Sequence, residues 1–158
     1  MPTMNRPRAY SIAVALAFPA AVSAAAAPPL VLEIKASLGR TGAKLDAVGN
    51  AAKKCQSAAC FNALGSGLKR FANSERAGLD GAWAKATPAL KNSACGKDVY
   101  HQMRTVDATV AASAAPLIGL TEANAKAASS AFDVKIRSVI PKVATLVARV
   151  KACAASGG

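Results

Sequence analysis

One histidine, eight acidic residues and seven aromatics (four Phe, two Tyr, one Trp) are all that this 158-residue chain holds of the side chains most chemistry needs. The histidine, His101, has no second histidine to share a zinc ion and lies far in sequence from Cys55 and Cys60. It falls two residues past Val99 and two before Met103, off the apolar seam of its helix, and reads as a surface residue. The acids Glu33, Asp46, Glu75, Asp80, Asp98, Asp107, Glu122 and Asp133 stand singly, with no metal-binding cluster among them. Gly-x-Ser-x-Gly, His-Glu-x-x-His and a phosphate-binding glycine loop are all missing. These gaps point away from an enzyme, a bound metal or another cofactor. The scarce aromatics sit mainly on helical seams rather than between basic residues, so they provide no stacking platform for nucleic acid. Long alternating runs of Val and Ile are lacking, which excludes an extensive sheet. Beyond residue 27 no segment is apolar enough to span a bilayer.

What the chain does hold begins with an export pattern. Arg6 and Arg8 precede an apolar run from Ala9 to Val22, and Val22-Ser23-Ala24 carries small residues where a signal peptidase cuts. The expected leader is residues 1–24. The run is mostly alanine, is broken by Pro19 and ends in small residues, which favours cleavage over a membrane anchor. Pro7 separates the arginines, so there is no twin-arginine pair, and no cysteine stands at the cut to accept lipid. The product is expected in the periplasm or outside the cell, where cysteines form disulfides.

Residues 25–158 are enough for one domain. The full chain carries 20 Lys and Arg against eight acids; the leader removes two cations and no acid, so +12 becomes +10. Such a balance favours an acidic protein or an anionic envelope component as partner. Export argues against nucleic acid.

Helical periodicity organises the domain. Ile34, Leu38, Thr41, Leu45, Val48, Ala52 and Cys55 recur at alternating steps of four and three, the seam of a first helix over about 29–54. Ser57 is the expected N-cap of a second helix. That helix carries Phe61, Leu64, Leu68 and Phe71, then a shifted set, Leu79, Trp83, Ala86 and Leu90, and a kink or split is expected near Asn73. Pro88 ends it or restarts it as a short turn. Val99, Met103, Val106, Val110 and Ser113 mark a third helix capped by Asp98 and stopped near Ala115 by Pro116. A fourth, capped by Thr121 with Glu122 at its positive end, runs to about Ala152 with a seam of Ala125, Ser129, Phe132, Ile136, Val139, Val143, Leu146, Val150 and Cys153, and with Pro141 inside it. Short connections fold these into an all-α, antiparallel up-down four-helix bundle.

That topology selects one cysteine pairing of three. Cys55 and Cys60 share the first turn, while Cys95 at the start of the third helix and Cys153 at the end of the fourth meet at the opposite pole. Cys-x₄-Cys is not the spacing of a disulfide oxidoreductase, so both bridges read as structural.

The candidate binding residues are basic. Lys135, Lys142 and Arg149 recur every seven residues along one edge of the last helix, with Arg137 and Lys151 on the next strip. They read as a docking face for an acidic partner, as in an inhibitor or immunity-type protein, set against the plainer role of a solvated charged row. Two alternatives stay open: a carrier holding a small apolar ligand in a cavity near Phe71, Trp83 and Phe132, and a membrane-surface protein whose last helix lies on anionic lipid.

Overall fold

The structure, a computed structural model, describes residues 29–155, so the expected leader over 1–24 and its cleavage point lie outside the described residues. Alanine-rich sequence with polar caps gives helix nearly throughout. Five helices pack against one another: α1 Pro29–Ala52, α2 Ala58–Lys85, α3 Pro88–Asn92, α4 Ala94–Ser113 and α5 Ala125–Ala155. A single 3-10 turn, Ala115–Leu117, follows α4, and no strand occurs among the described residues. α2 packs on α1 and α4, and α5 packs on α4 and α1. The Ser37–Glu75 hydrogen bond and the approach of Gly78 to Glu33 set α1 antiparallel to α2. Asp98–Arg149 and Thr109–Lys142 do the same for α4 and α5.

The caps explain the breaks. The Ser57 hydroxyl accepts from the Cys60 amide and starts α2. Thr87 caps α3 with Pro88 in its first turn, and Ser93 closes α3 and opens α4 by accepting from the Gly96 amide. Asp98, expected as this cap, instead pairs with Arg149. Glu122 likewise serves elsewhere: its carboxylate accepts from the Ala58 amide at 2.9 Å and caps α2 from across the fold. Gly119, at φ 74°, turns the chain after Ile118 toward the start of α5.

The core lies along the expected seams. Ile34, Leu38, Thr41, Leu45, Val48 and Ala52 of α1 are all buried, as are Val99, Met103, Val106, Val110 and Ser113 of α4. α2 is one unbroken helix rather than two. Its seam is Phe61, Gly65, Leu68, Ala72, Glu75 and Leu79, which keeps the four-three step through the region where a break was expected. Leu64, Phe71 and Trp83 flank that seam and are half-buried. Gly65 is required there, because a Cβ would stand 2.8 Å from Leu117 and Ile118 of the connection. Both disulfides, Cys55–Cys60 and Cys95–Cys153, pair as expected, each with Cα atoms 5.6 Å apart.

Candidate functional site

Three places concentrate polar or open structure: the outer face of α4 with its neighbours, a charged layer in the interior, and a groove between α1 and α5.

On the outer face, His101, Arg104, Thr105, Ala108, Thr109 and Ala112 form one side of α4, since they recur at helical spacing. With Arg76 from α2 they line a shallow groove of about 560 Å³. Arg104 is tethered: its Nε lies 3.6 Å from the Asp80 carboxylate, and its guanidinium sits 5.8 Å from the Tyr100 ring centre. Tyr100 donates to Asp80 at 2.9 Å and stacks flat on Trp83, with centroids 4.3 Å apart. Burial, followed by the hydrogen bond to Asp80, raises the Tyr100 hydroxyl above its ordinary pKa. Arg76 Nε is covered and has no hydrogen-bond partner among the described residues.

The basic row on α5 adjoins this groove. Lys142 Nζ donates to Thr109 Oγ1 at 3.2 Å, joining the row to the groove wall. Arg149 spends its charge on Asp98, with one nitrogen 2.6 and 2.7 Å from the two carboxylate oxygens. Arg137 pairs with Asp133 one turn back at 2.8 Å. Lys135 and Lys151 are exposed. All five expected docking residues are exposed, but they do not share one face: Lys135, Lys142 and Arg149 lie on the α4 side, Arg137 and Lys151 lie on the strip of Ile140 and Val147 toward α1, and Arg149 and Arg137 already face acids. Exposed pairs of this kind are weak and leave the guanidinium competent for a stronger anion.

The interior layer escaped sequence reasoning. Glu75 is 8% exposed and accepts from Ser37 Oγ at 2.5 Å and from Arg40 at 2.9 Å; Arg40 also reaches Glu33 at 2.7 Å. The two carboxylates hold the Arg40 guanidinium charged, Glu75 contributing most. Asp107, expected as a surface charge, is 1% exposed, and its Oδ2 has no hydrogen-bond partner among the described residues. Burial, reinforced by the charge of Glu75, pushes its carboxyl up from 3.8 to about 7; Arg76 opposes the rise. A displaced carboxyl is where an active site is first sought, but this one is closed to substrate. The signal missed was positional: Glu75 sits four residues before Leu79 and three after Ala72, and Asp107 directly follows Val106.

The third place is a groove of about 230 Å³ lined by Leu38, Gly42 and Leu45 of α1 and Ile140, Val143, Ala144 and Val147 of α5. It lies away from the cavity expected at Phe71, Trp83 and Phe132. Phe132 is buried in the core, and Phe71 carries Lys44 at 5.9 Å over its ring.

Among the described residues no group of three metal-ligating side chains converges, and no helix is long and apolar enough to cross a membrane. No known family model matches the chain, nor does any curated protein or solved structure.

Proposed function

We propose that this chain is a small exported binding protein, not an enzyme, that docks an acidic partner on a basic helical face. In this reading residues 1–24 are a cleaved signal peptide, and α1, α2, α4 and α5 form an up-down four-helix bundle, with α3 inside the α2–α4 connection. The two disulfides suit an oxidising periplasm or extracellular medium.

The observation that carries the reading is the adjacency of cations from three helices around one shallow groove. Arg76 and Arg104 line it, and Lys142 is joined to its wall through Thr109. Asp80 is the acid bonded within this group, and against a net charge of +10 for the mature chain the face remains strongly basic. Lys135 and Arg149 extend the field along the same flank of α5, whereas Arg137 and Lys151 fall on the other flank of its seam, toward α1. A shallow, open groove suits a protein or polymer surface better than an enclosed small molecule.

The test uses two defined anionic probes, immobilised poly-glutamate and phosphatidylglycerol vesicles. Retention should fall steeply between about 50 and 500 mM salt. Lys135→Glu with Lys142→Glu should abolish it, while Lys53→Glu with Lys54→Glu, in the turn after α1 and outside the groove lining, should leave most of it. Equal loss from both pairs would show that net charge alone drives binding and would refute a docking face.

A further inference from the structure

The groove between α1 and α5 lies on the other flank of the α5 seam from the basic row, and it stands independently of the reading above. We infer that it is a binding site for a single-chain anionic amphiphile, with the hydrocarbon tail in the groove and the carboxylate at the pole of the Cys95–Cys153 bridge.

Its shape comes from small residues. Leu38 and Leu45 flank Gly42 on α1, and Ala144 occupies the α5 wall between Ile140 and Val147. A Cβ at Gly42 would meet nothing within 4 Å and Ala144 on the other wall is exposed, so the groove is open to solvent there. Pro141 lies in the same stretch of α5, where it has no N–H to complete the helix. A glycine inside a helix also costs about 0.5–1 kcal/mol relative to alanine. An open wall built on glycine, in a chain otherwise rich in alanine, therefore carries a cost that an occupant would offset.

Dimensions select the occupant. Leu38 to Leu45 and Ile140 to Val147 each span seven residues, or about 10 Å of helix at about 1.5 Å per residue. A volume of about 230 Å³ over that length leaves a cross-section of about 20 Å², close to that of one extended hydrocarbon chain. Every lining residue is apolar or glycine, so a tail needs no polar partner. A cavity of about 150 Å³ lined by similar side chains binds benzene, so this volume is ample for an eight-carbon chain.

Charge selects the head group. Lys151 lies one turn past Val147 on the same strip of α5, and Lys35 lies one turn before Leu38 on α1. The start of α1 and the end of α5 share a pole. α1 runs antiparallel to α2, α2 leads through α3 to Cys95, and Cys95 is bridged to Cys153. Two exposed lysines therefore stand beyond one end of the groove. Each also engages another group of the protein, and the site draws only on their charge.

The experiment titrates the oxidised mature chain with octanoate and with octanol, following backbone amide shifts by NMR. Octanoate should bind saturably below millimolar concentration, with the largest shifts at 38–45 and 140–147. Gly42→Leu, whose Cβ enters open space, should weaken binding at least about tenfold. Ala144→Leu should do the same from the opposite wall, and thermal melting establishes that each variant is folded. Lys35→Ala with Lys151→Ala should weaken octanoate about fivefold and leave octanol within about twofold. Absence of saturation, shifts centred on Trp83 or Phe132, or full binding by a folded Gly42→Leu protein would overturn the site. Equal loss of octanol and octanoate in the lysine variant would overturn the assignment of the head group.

Discussion

Asp107→Asn should stabilise this protein at alkaline pH and do much less in acid. The carboxyl is 1% exposed, and burial together with Glu75 raises it from 3.8 to about 7. The folded chain thus holds a proton that the unfolded chain releases between about pH 4 and 7. Stability is greatest in acid, falls as pH climbs through that window, and levels off above about pH 7. The distance from 3.8 to about 7, at about 1.4 kcal/mol per pH unit, makes the full effect about 4 kcal/mol. Between pH 5 and pH 8 the portion from 5 to about 7 is traversed, about 3 kcal/mol. Asparagine is nearly the same shape and cannot ionise, so the variant lacks this slope. Urea unfolding followed by circular dichroism at both pH values measures it. The advantage of the variant over the parent should grow by about 3 kcal/mol from pH 5 to pH 8. An advantage that stays constant across that range would show that the carboxylate is solvated in the fold, and the reasoning from burial would fail.

Chain connectivity ranks the two disulfides. Replacing Cys95 and Cys153 by serine opens a loop of sequence separation 58 and should cost about 4 kcal/mol, whereas Cys55 and Cys60, separated by five, should cost about 2 kcal/mol. Guanidinium melts of the two double variants check the order. Two glycines should respond to alanine with opposite signs in thermal melts. Gly39→Ala meets open space in a helix and should gain about 0.5–1 kcal/mol, but a methyl at Gly96 would collide with the Leu90 carbonyl and should cost about 1–3 kcal/mol. Glu75→Ala removes the acceptor of Ser37 and Arg40 and should cost about 1–3 kcal/mol. In a double-mutant cycle with Ser37→Ala the two losses should be clearly non-additive.

Most of the helical frame was legible because a buried seam must recur at the helical period whatever its composition. The first, third and fourth seams were written mainly in Ile, Leu, Val and Met, and apart from half-buried Cys55 their apolar residues are buried. The cysteine pairing followed from the poles at which those seams end. α2 was misread because its seam changes chemistry without changing period. Gly65 is small to admit the connection after α4, and Glu75 is an acid held by Ser37 and Arg40. A reading that follows large apolar side chains therefore drifts onto Leu64, Phe71 and Trp83, which flank the seam, and reports a kink. Caps were ambiguous for a related reason. Asp98 and Glu122 stand where a local cap would stand, but both spend their charge on partners from elsewhere in the chain, Arg149 and the Ala58 amide.

The same distinction governs the candidate sites. A basic row spaced by seven is visible in sequence, yet its electrostatic weight depends on partners from another helix. Asp98 offsets Arg149, while Arg76 and Arg104 from α2 and α4 extend the field beyond the row. The α1–α5 groove is harder still to read, because it is made of side chains that are small. Gly42 looks like a local weakness in a helix until α5 sets Ala144 in the other wall, and the two small residues together shape the groove. A charged row can thus be seen one helix at a time although its net field cannot, whereas an apolar groove between helices is wholly a property of two elements that meet. Filling Gly42 tests that joint property directly: the change strengthens α1 as an isolated helix, so any loss of ligand must come from the groove and not from the helix that bears it.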